Sequence, residues 1–234
     1  MSRVLALIVV DMQNDFCLPD GALSVKDAMQ TLPLINKLLD SNAFEYKVAT
    51  KDWHPPNHIS FASNHPEPNN KPFESFIEMK NVVAGKPHET MRQRLWPRHC
   101  EQGSRGAELV SQLHTEKVDL IVEKGTDERV EMYSAFSDSF GNATEGKGGV
   151  THDLARVLRD KGITDVCCVG LAGDYCLNYS ALDATKAGFK TYLIEEGQRC
   201  VDPQTWPKVK EGLAAGKVEV VSESSEHVQK LLTS

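Results

Sequence analysis

The sequence predicts an α/β fold: a three-layer, doubly wound domain with a central, mainly parallel six-stranded sheet flanked by helices. Three observations predict it. Residues 4–10, VLALIVV, form an apolar run too short for a lone buried helix and rich in β-branched residues, as a central parallel strand is. Strand-like and helix-like stretches then alternate along the chain at a spacing that demands right-handed crossovers in one sheet. Finally, Asp11, Lys124 and Cys176 fall at or just past the ends of three separate predicted strands, where open parallel sheets form their crevices.

Taken in order, Asp27 to Leu39 carries Met29, Leu32, Ile35, Leu38 and Leu39 on one face and predicts a helix, with Pro33 inside its early turns. Tyr46 to Thr50 predicts the second strand. In KDWHPPNHISF, 51–61, Asp52 and His54 stand two apart at a strand end, where extended geometry gives them one face and a start for a divalent metal site. His58 is a nearby candidate, although polar residues in a Pro-rich loop account for these positions equally well. Residues 62–94 show little periodicity and hold Pro66, Pro68, Pro72 and Pro87. The stretch of about 51–105 therefore reads as a long, loop-rich excursion within one domain spanning 1–234. It ends in LWPRHC, 95–100, which offers Trp96 as a pocket wall and His99 as a further ligand.

Gly106 to Leu113 predicts a short helix and Val118 to Val122 the third strand, which runs into Glu123 and Lys124. Lys124 alone would read as a solvated surface lysine. Tyr133, Phe136 and Phe140 follow as pocket-lining candidates. Thr151 to Arg159 predicts a helix, Val166 to Val169 a strand, Lys190 to Ile194 a fifth strand, Gln204 to Ala215 a helix and Val218 to Val221 the sixth strand. A last helix, Glu226 to Leu232, covers an edge.

Cys176 stands where the strand at 166–169 turns, through Gly170 and Gly173, into a helix with Leu177, Ala181, Ala184 and Ala187 at helical spacing. A helix N-terminus favours a thiolate, and its free N–H groups can receive an oxyanion. Six cysteines without a secretory pattern read as reduced thiols, and the adjacent Cys167 and Cys168 point to opposite faces of a strand. A net charge of −7 without a basic stripe excludes nucleic acid and anionic membranes as main partners and favours a small neutral or cationic ligand. No apolar run approaches the roughly 20 residues of a membrane span, and the chain reads as cytosolic. Self-association is left open.

DMQNDF at 11–16, KDWHP at 51–55, LWPRHC at 95–100, EKG at 123–125, YSAF at 133–136 and GLAGDYC at 170–176 together resemble the signature blocks of the isochorismatase-like cysteine hydrolases, and of their nicotinamidase branch in particular. The blocks cover most of the chain. The resemblance implies Cys176 as nucleophile, Asp11 as general acid and base, and Lys124 as their cationic partner. It implies an oxyanion hole from the N–H groups of Ala172 and Cys176, with a cis peptide at Leu171–Ala172. It assigns Asp52, His54 and His99 to a divalent metal, zinc first, with Mn²⁺ or Fe²⁺ as alternatives, and lets Phe16, Trp96 and Tyr133 sandwich a pyridine ring. His58, His65 and His88 are left to the surface. The activity implied is hydrolysis of nicotinamide to nicotinate and ammonia, with pyrazinamide as a second substrate, in NAD salvage. An isochorismatase proper needs neither the cysteine nor the ligand set. A carbamoyl amidohydrolase and a non-catalytic metabolite sensor are the rival readings, and a thiol-redox protein would need a CxxC that is absent.

Overall fold

The computed structural model describes residues 3–83, 85–86, 88–142 and 149–233; Pro87 lies outside them. The strands are β1 (Leu5–Val10), β2 (Tyr46–Asp52), β3 (Phe76–Lys80), β4 (Thr90–Arg94), β5 (Leu120–Lys124), β6 (Asp165–Leu171), β7 (Lys190–Arg199) and β8 (Val218–Val221). The helices are α1 (Asn14–Cys17), α2 (Leu32–Asp40), α3 (Leu154–Asp160), α4 (Cys176–Lys186), α5 (Trp206–Ala215) and α6 (Glu226–Leu232). Six strands form one parallel sheet in the order β5-β2-β1-β6-β7-β8. The chain winds outward from β1 through β2 to β5, then returns to β6 and winds the other way. The winding reverses between β1 and β6, so the crevice at their carboxyl ends is the expected binding site.

Every residue of β1 is buried, because helices cover both faces of the sheet. Leu5, Leu7 and Val9 face a core shared with α2 and α6, while Ala6, Ile8 and Val10 face one shared with α3, α4 and α5. Cys167 and Cys168 divide between the same two cores, as their adjacency in a strand requires. Gly170 lets β6 approach β1 this closely: a Cβ there would lie 2.1 Å from the Val10 carbonyl oxygen, and its φ is +114°.

Several predicted elements change. Pro33 sits in the first turn of α2, where its missing N–H costs nothing, and a 3₁₀ turn, Ala28–Thr31, precedes it. The helix expected at 106–113 is a 3₁₀ turn, Arg105–Ala107, followed by a bridge from Leu109 to Gln13 and a turn at 111–112. Its backbone is drawn instead to the turn after β1: the Asn14 N–H donates to Glu108 O at 2.8 Å and the Val110 N–H to Met12 O at 2.9 Å. The third strand of the sheet starts two residues later than predicted and includes Lys124. Residues 62–94, expected to be irregular, contain the antiparallel hairpin β3–β4. The predicted last helix is α6, and among the described residues no helix is long and apolar enough to cross a membrane.

Candidate active site

Three carboxyl-terminal strand ends and one strand-to-helix turn converge. Asp11 follows β1 with φ +50°, a left-handed conformation uncommon outside glycine. Asp52 and Lys124 end β2 and β5 as register partners. Cys176 opens α4 after the turn from β6, and the Leu171–Ala172 peptide in that turn is cis.

Lys124, fully buried, sits at the centre. Its Nζ lies 2.9 Å from Asp11 Oδ2 and 3.4 Å from Cys176 Sγ, and it donates to Asp52 Oδ1. Asp11 Oδ1 accepts from the Thr50 hydroxyl at 2.5 Å, while Oδ2 is buried without a directed hydrogen bond. Burial raises the Asp11 pKa; Lys124 opposes this and Asp52 adds to it. Burial also works against the Lys124 charge, but Asp11 and Asp52 outweigh it and hold the ammonium charged well above the usual lysine range. Burial pushes the Cys176 thiol well above its usual value, Lys124 draws it down, and Asp52 and Asp11 push it up again. The lowering expected from the helix N-terminus is thus opposed first by burial and then by the two carboxylates beside the thiol. Neither the Ala172 nor the Cys176 N–H donates to a protein acceptor among the described residues.

Asp52 connects this cluster to a second. Its Oδ2 lies 3.5 Å from His54 Nε2 and 3.8 Å from His99 Nε2, and one ligand atom of each residue falls within 4.8 Å of the others. Burial would raise Asp52, yet Lys124, His54 and His99 outweigh it and leave the carboxylate ionised. His54 Nδ1 bonds Gly125 O at 2.9 Å and His99 Nδ1 bonds Pro97 O at 2.7 Å, which turns both Nε2 atoms toward Asp52; burial works against the His54 charge, but Asp52 outweighs it and raises the His54 pKa. Burial and His54 push His99 down to about 4, leaving it neutral for ligation. His54 Nε2 is buried with no hydrogen-bond partner. A carboxylate and two imidazoles held through their far nitrogens fit a divalent cation, and the orphaned nitrogen is a donor that such an ion would satisfy. Gly125 protects this geometry: at φ +69°, a Cβ would lie 2.4 Å from His54 Cε1.

His58 is not at the surface as expected but fully buried. It stacks on His54 with centroids 4.0 Å apart and is bonded to Ser60 Oγ and Val130 O, so neither ring nitrogen is free. His65 is half-buried on Ile59 O, and His88 is exposed.

The cavity between the clusters is lined by Phe16, Trp96 and Tyr133, together with Leu23, Val25, Ala172, Tyr175 and Val201. Phe136 is buried in the core away from it. The open space is about 30 Å³, room for about one water. Glu131, also in the lining and 2% exposed, escaped the sequence reading, although its spacing of two from Tyr133 would give both one face in extended chain. Burial raises its pKa. The Gly-Asp-Tyr positions before Cys176 also have fixed tasks: Gly173 packs on Gln198, Asp174 accepts from the N–H groups of Val201 and Asp202, and Tyr175 is pocket wall.

The family model described as Isochorismatase domain matches residues 5–224. The chain is 41% identical over 202 residues to a nicotinamidase of Acinetobacter baylyi, covering 84% of this chain and 82% of that one. Its fold matches a crystal structure of the yeast nicotinamidase bound to the inhibitor nicotinaldehyde with a TM-score of 0.84 at 33% identity, over 94% of this chain and 100% of the other. A pyrazinamidase of Pyrococcus horikoshii in complex with zinc matches with a TM-score of 0.68 at 34% identity, over 93% and 98%. With these relatives and these converging strand ends, the chain belongs to the isochorismatase-domain family of hydrolases, on its nicotinamidase side.

Proposed function

We propose that the chain, acting as a single domain over 1–234, hydrolyses nicotinamide to nicotinate and ammonia through a thioester on Cys176. The observation that carries this reading is the contact of one buried ammonium, Lys124, with a thiol and two carboxylates, one of which also faces the Nε2 atoms of His54 and His99.

The chemistry follows from the groups. Asp11 Oδ2 takes the thiol proton as Sγ attacks the carboxamide carbon, and the Ala172 and Cys176 N–H groups receive the oxyanion. Lys124 stays charged and holds the emerging negative charge on sulfur. Asp11 then returns the proton to the amide nitrogen, which leaves as ammonia. Water enters, loses a proton to Asp11 and attacks the thioester; nicotinate departs and the thiol is restored. Phe16, Trp96 and Tyr133 enclose the ring. Asp52, His54 and His99 would hold a divalent ion, zinc by analogy with the zinc-bound relative and Mn²⁺ or Fe²⁺ by ligand chemistry, which when bound supplies a Lewis acid for the ring nitrogen. Pyrazinamide differs by one ring atom and is expected to be cleaved too. On this reading the enzyme serves pyridine-nucleotide salvage in the cytoplasm.

The test is ammonia release from nicotinamide by purified protein, before and after chelation, with metal analysis of the same sample. Turnover that is lost on chelation and restored by zinc supports the triad, the metal and the substrate together. A zinc-containing protein inert toward nicotinamide would refute the substrate and direct attention to other small amides and carbamoyl compounds.

A further inference from the structure

Beside the catalytic cavity, and separated from it by Tyr133 and Tyr175, lies a groove of about 350 Å³ between β4 and α4. Its charges are unevenly used. Asp183 is engaged by Lys186 at 2.8 Å and by the Ser137 hydroxyl at 2.6 Å. Asp138 accepts from the N–H groups of Phe140 and Asn142 and from the Asn142 side chain. The two arginines have no such partner. Arg92 rests over the Phe76 ring at 4.0 Å, and Arg94 lies over Phe76 at 5.3 Å and over Trp96 at 5.9 Å. Among the described residues no carboxylate pairs with either guanidinium.

The tyrosine in the dividing wall adds a donor. The Tyr133 hydroxyl accepts from Gln93 Nε2 at 2.7 Å and from Trp96 Nε1 at 2.9 Å. Gln93 Nε2 also donates to Arg94 O at 2.7 Å, which fixes the amide orientation, and an indole N–H can only donate. Both acceptor positions of the phenol oxygen are therefore filled. Its own O–H has no acceptor among the described residues and is left to donate to a ligand. On the groove side, the Tyr133 ring stacks on Tyr179 with centroids 5.4 Å apart and planes 17° apart, and Tyr179 is 44% exposed, offering an aromatic face.

We propose that this groove is a binding site for a planar aromatic monocarboxylate, the class of the reaction's own product, held by the Arg94 guanidinium and the Tyr133 O–H against the Tyr179 ring. The proposal rests on the amide-hydrolysis reading. Hydrolysis converts a neutral ring amide into an anion inside a cavity lined by Asp11, Asp52 and Glu131. An unpaired cation one residue wall away lies on the side that attracts the new charge, and a forked guanidinium matches a carboxylate. The neutral amide gains nothing from it. The groove thus discriminates product from substrate by charge alone and receives the acid as it leaves.

Calorimetric titration of nicotinate and of nicotinamide into the Cys176→Ala chain, with and without Arg94→Gln, tests this. The expected result is two nicotinate sites per Cys176→Ala chain, of which the Arg94→Gln change abolishes one or weakens it about tenfold. Nicotinamide should bind once, unchanged by that substitution. Raising the salt concentration should weaken the second nicotinate event in the Cys176→Ala chain and spare nicotinamide, a readout that does not depend on the double variant folding. A single nicotinate site, a second site indifferent to Arg94 and to salt, or an equal loss for acid and amide would each overturn the proposal. Absence of ammonia release from nicotinamide by the unmodified chain would instead strike the hydrolysis reading and leave the acid titration interpretable on its own.

Discussion

Asp52 and Lys124 are register partners at the ends of adjacent parallel strands, and the lysine bonds one carboxylate oxygen while the other faces His54 and His99. One aspartate thus belongs to both clusters. Lys124 in turn neutralises two buried carboxylates that repel each other.

Lys124→Ala removes the cation shared by Asp11 and Asp52 and leaves Asp11 without its counter-charge. A destabilisation of about 3–5 kcal/mol is expected in denaturant unfolding. Because Lys124 draws the thiol pKa down, alkylation of Cys176 by iodoacetamide at neutral pH should also slow. An unaltered alkylation rate would remove its electrostatic role.

Cys176→Ala should abolish ammonia release and leave unfolding within about 1 kcal/mol of the parent, since a small apolar side chain fills a buried position beside α4's own core residues. Retained turnover would sink the nucleophile.

His99→Ala should lower the metal content of purified protein together with its activity. Both ring nitrogens of the neighbouring His58 are bonded, to Ser60 Oγ and to Val130 O. Unchanged metal stoichiometry would show that the ion sits elsewhere.

The pH dependence follows from Asp11. It must be ionised to accept the thiol proton, and burial raises its pKa, with Lys124 opposing and Asp52 assisting. The ionised fraction is lost as pH falls through the raised value. The acid limb of kcat/KM should therefore lie above the usual aspartate pKa of about 4. Lys124 remains charged through the alkaline range and should contribute no basic limb. An acid limb at or below the ordinary aspartate value would contradict the assignment.

The sheet and the residues at its strand ends were legible because apolar runs stop abruptly at Asp11 and near Lys124, and parallel topology gathers such ends on one edge. The β3–β4 hairpin was not, because each of its strands buries a single residue, Met79 and Gln93, and no alternation of apolar and polar positions marks it. His58 lies in a Pro-rich stretch that looks like surface loop; its burial comes from Val130 and His54, which only the folded chain supplies. The 106–113 segment has helical composition, but its hydrogen bonds go to the turn after β1, a partner nearly a hundred residues away. Local pattern located the chemistry, and long-range pairing decided what surrounds it.

The small catalytic cavity sets the heat signature of ligand entry. A space for about one water holds almost no ordered solvent to release, so the usual entropic gain of apolar burial is small. Phe16, Trp96, Tyr133 and Tyr175 line the space that a ring would enter. Recognition is accordingly led by enthalpy, from new contacts between the ring and these side chains.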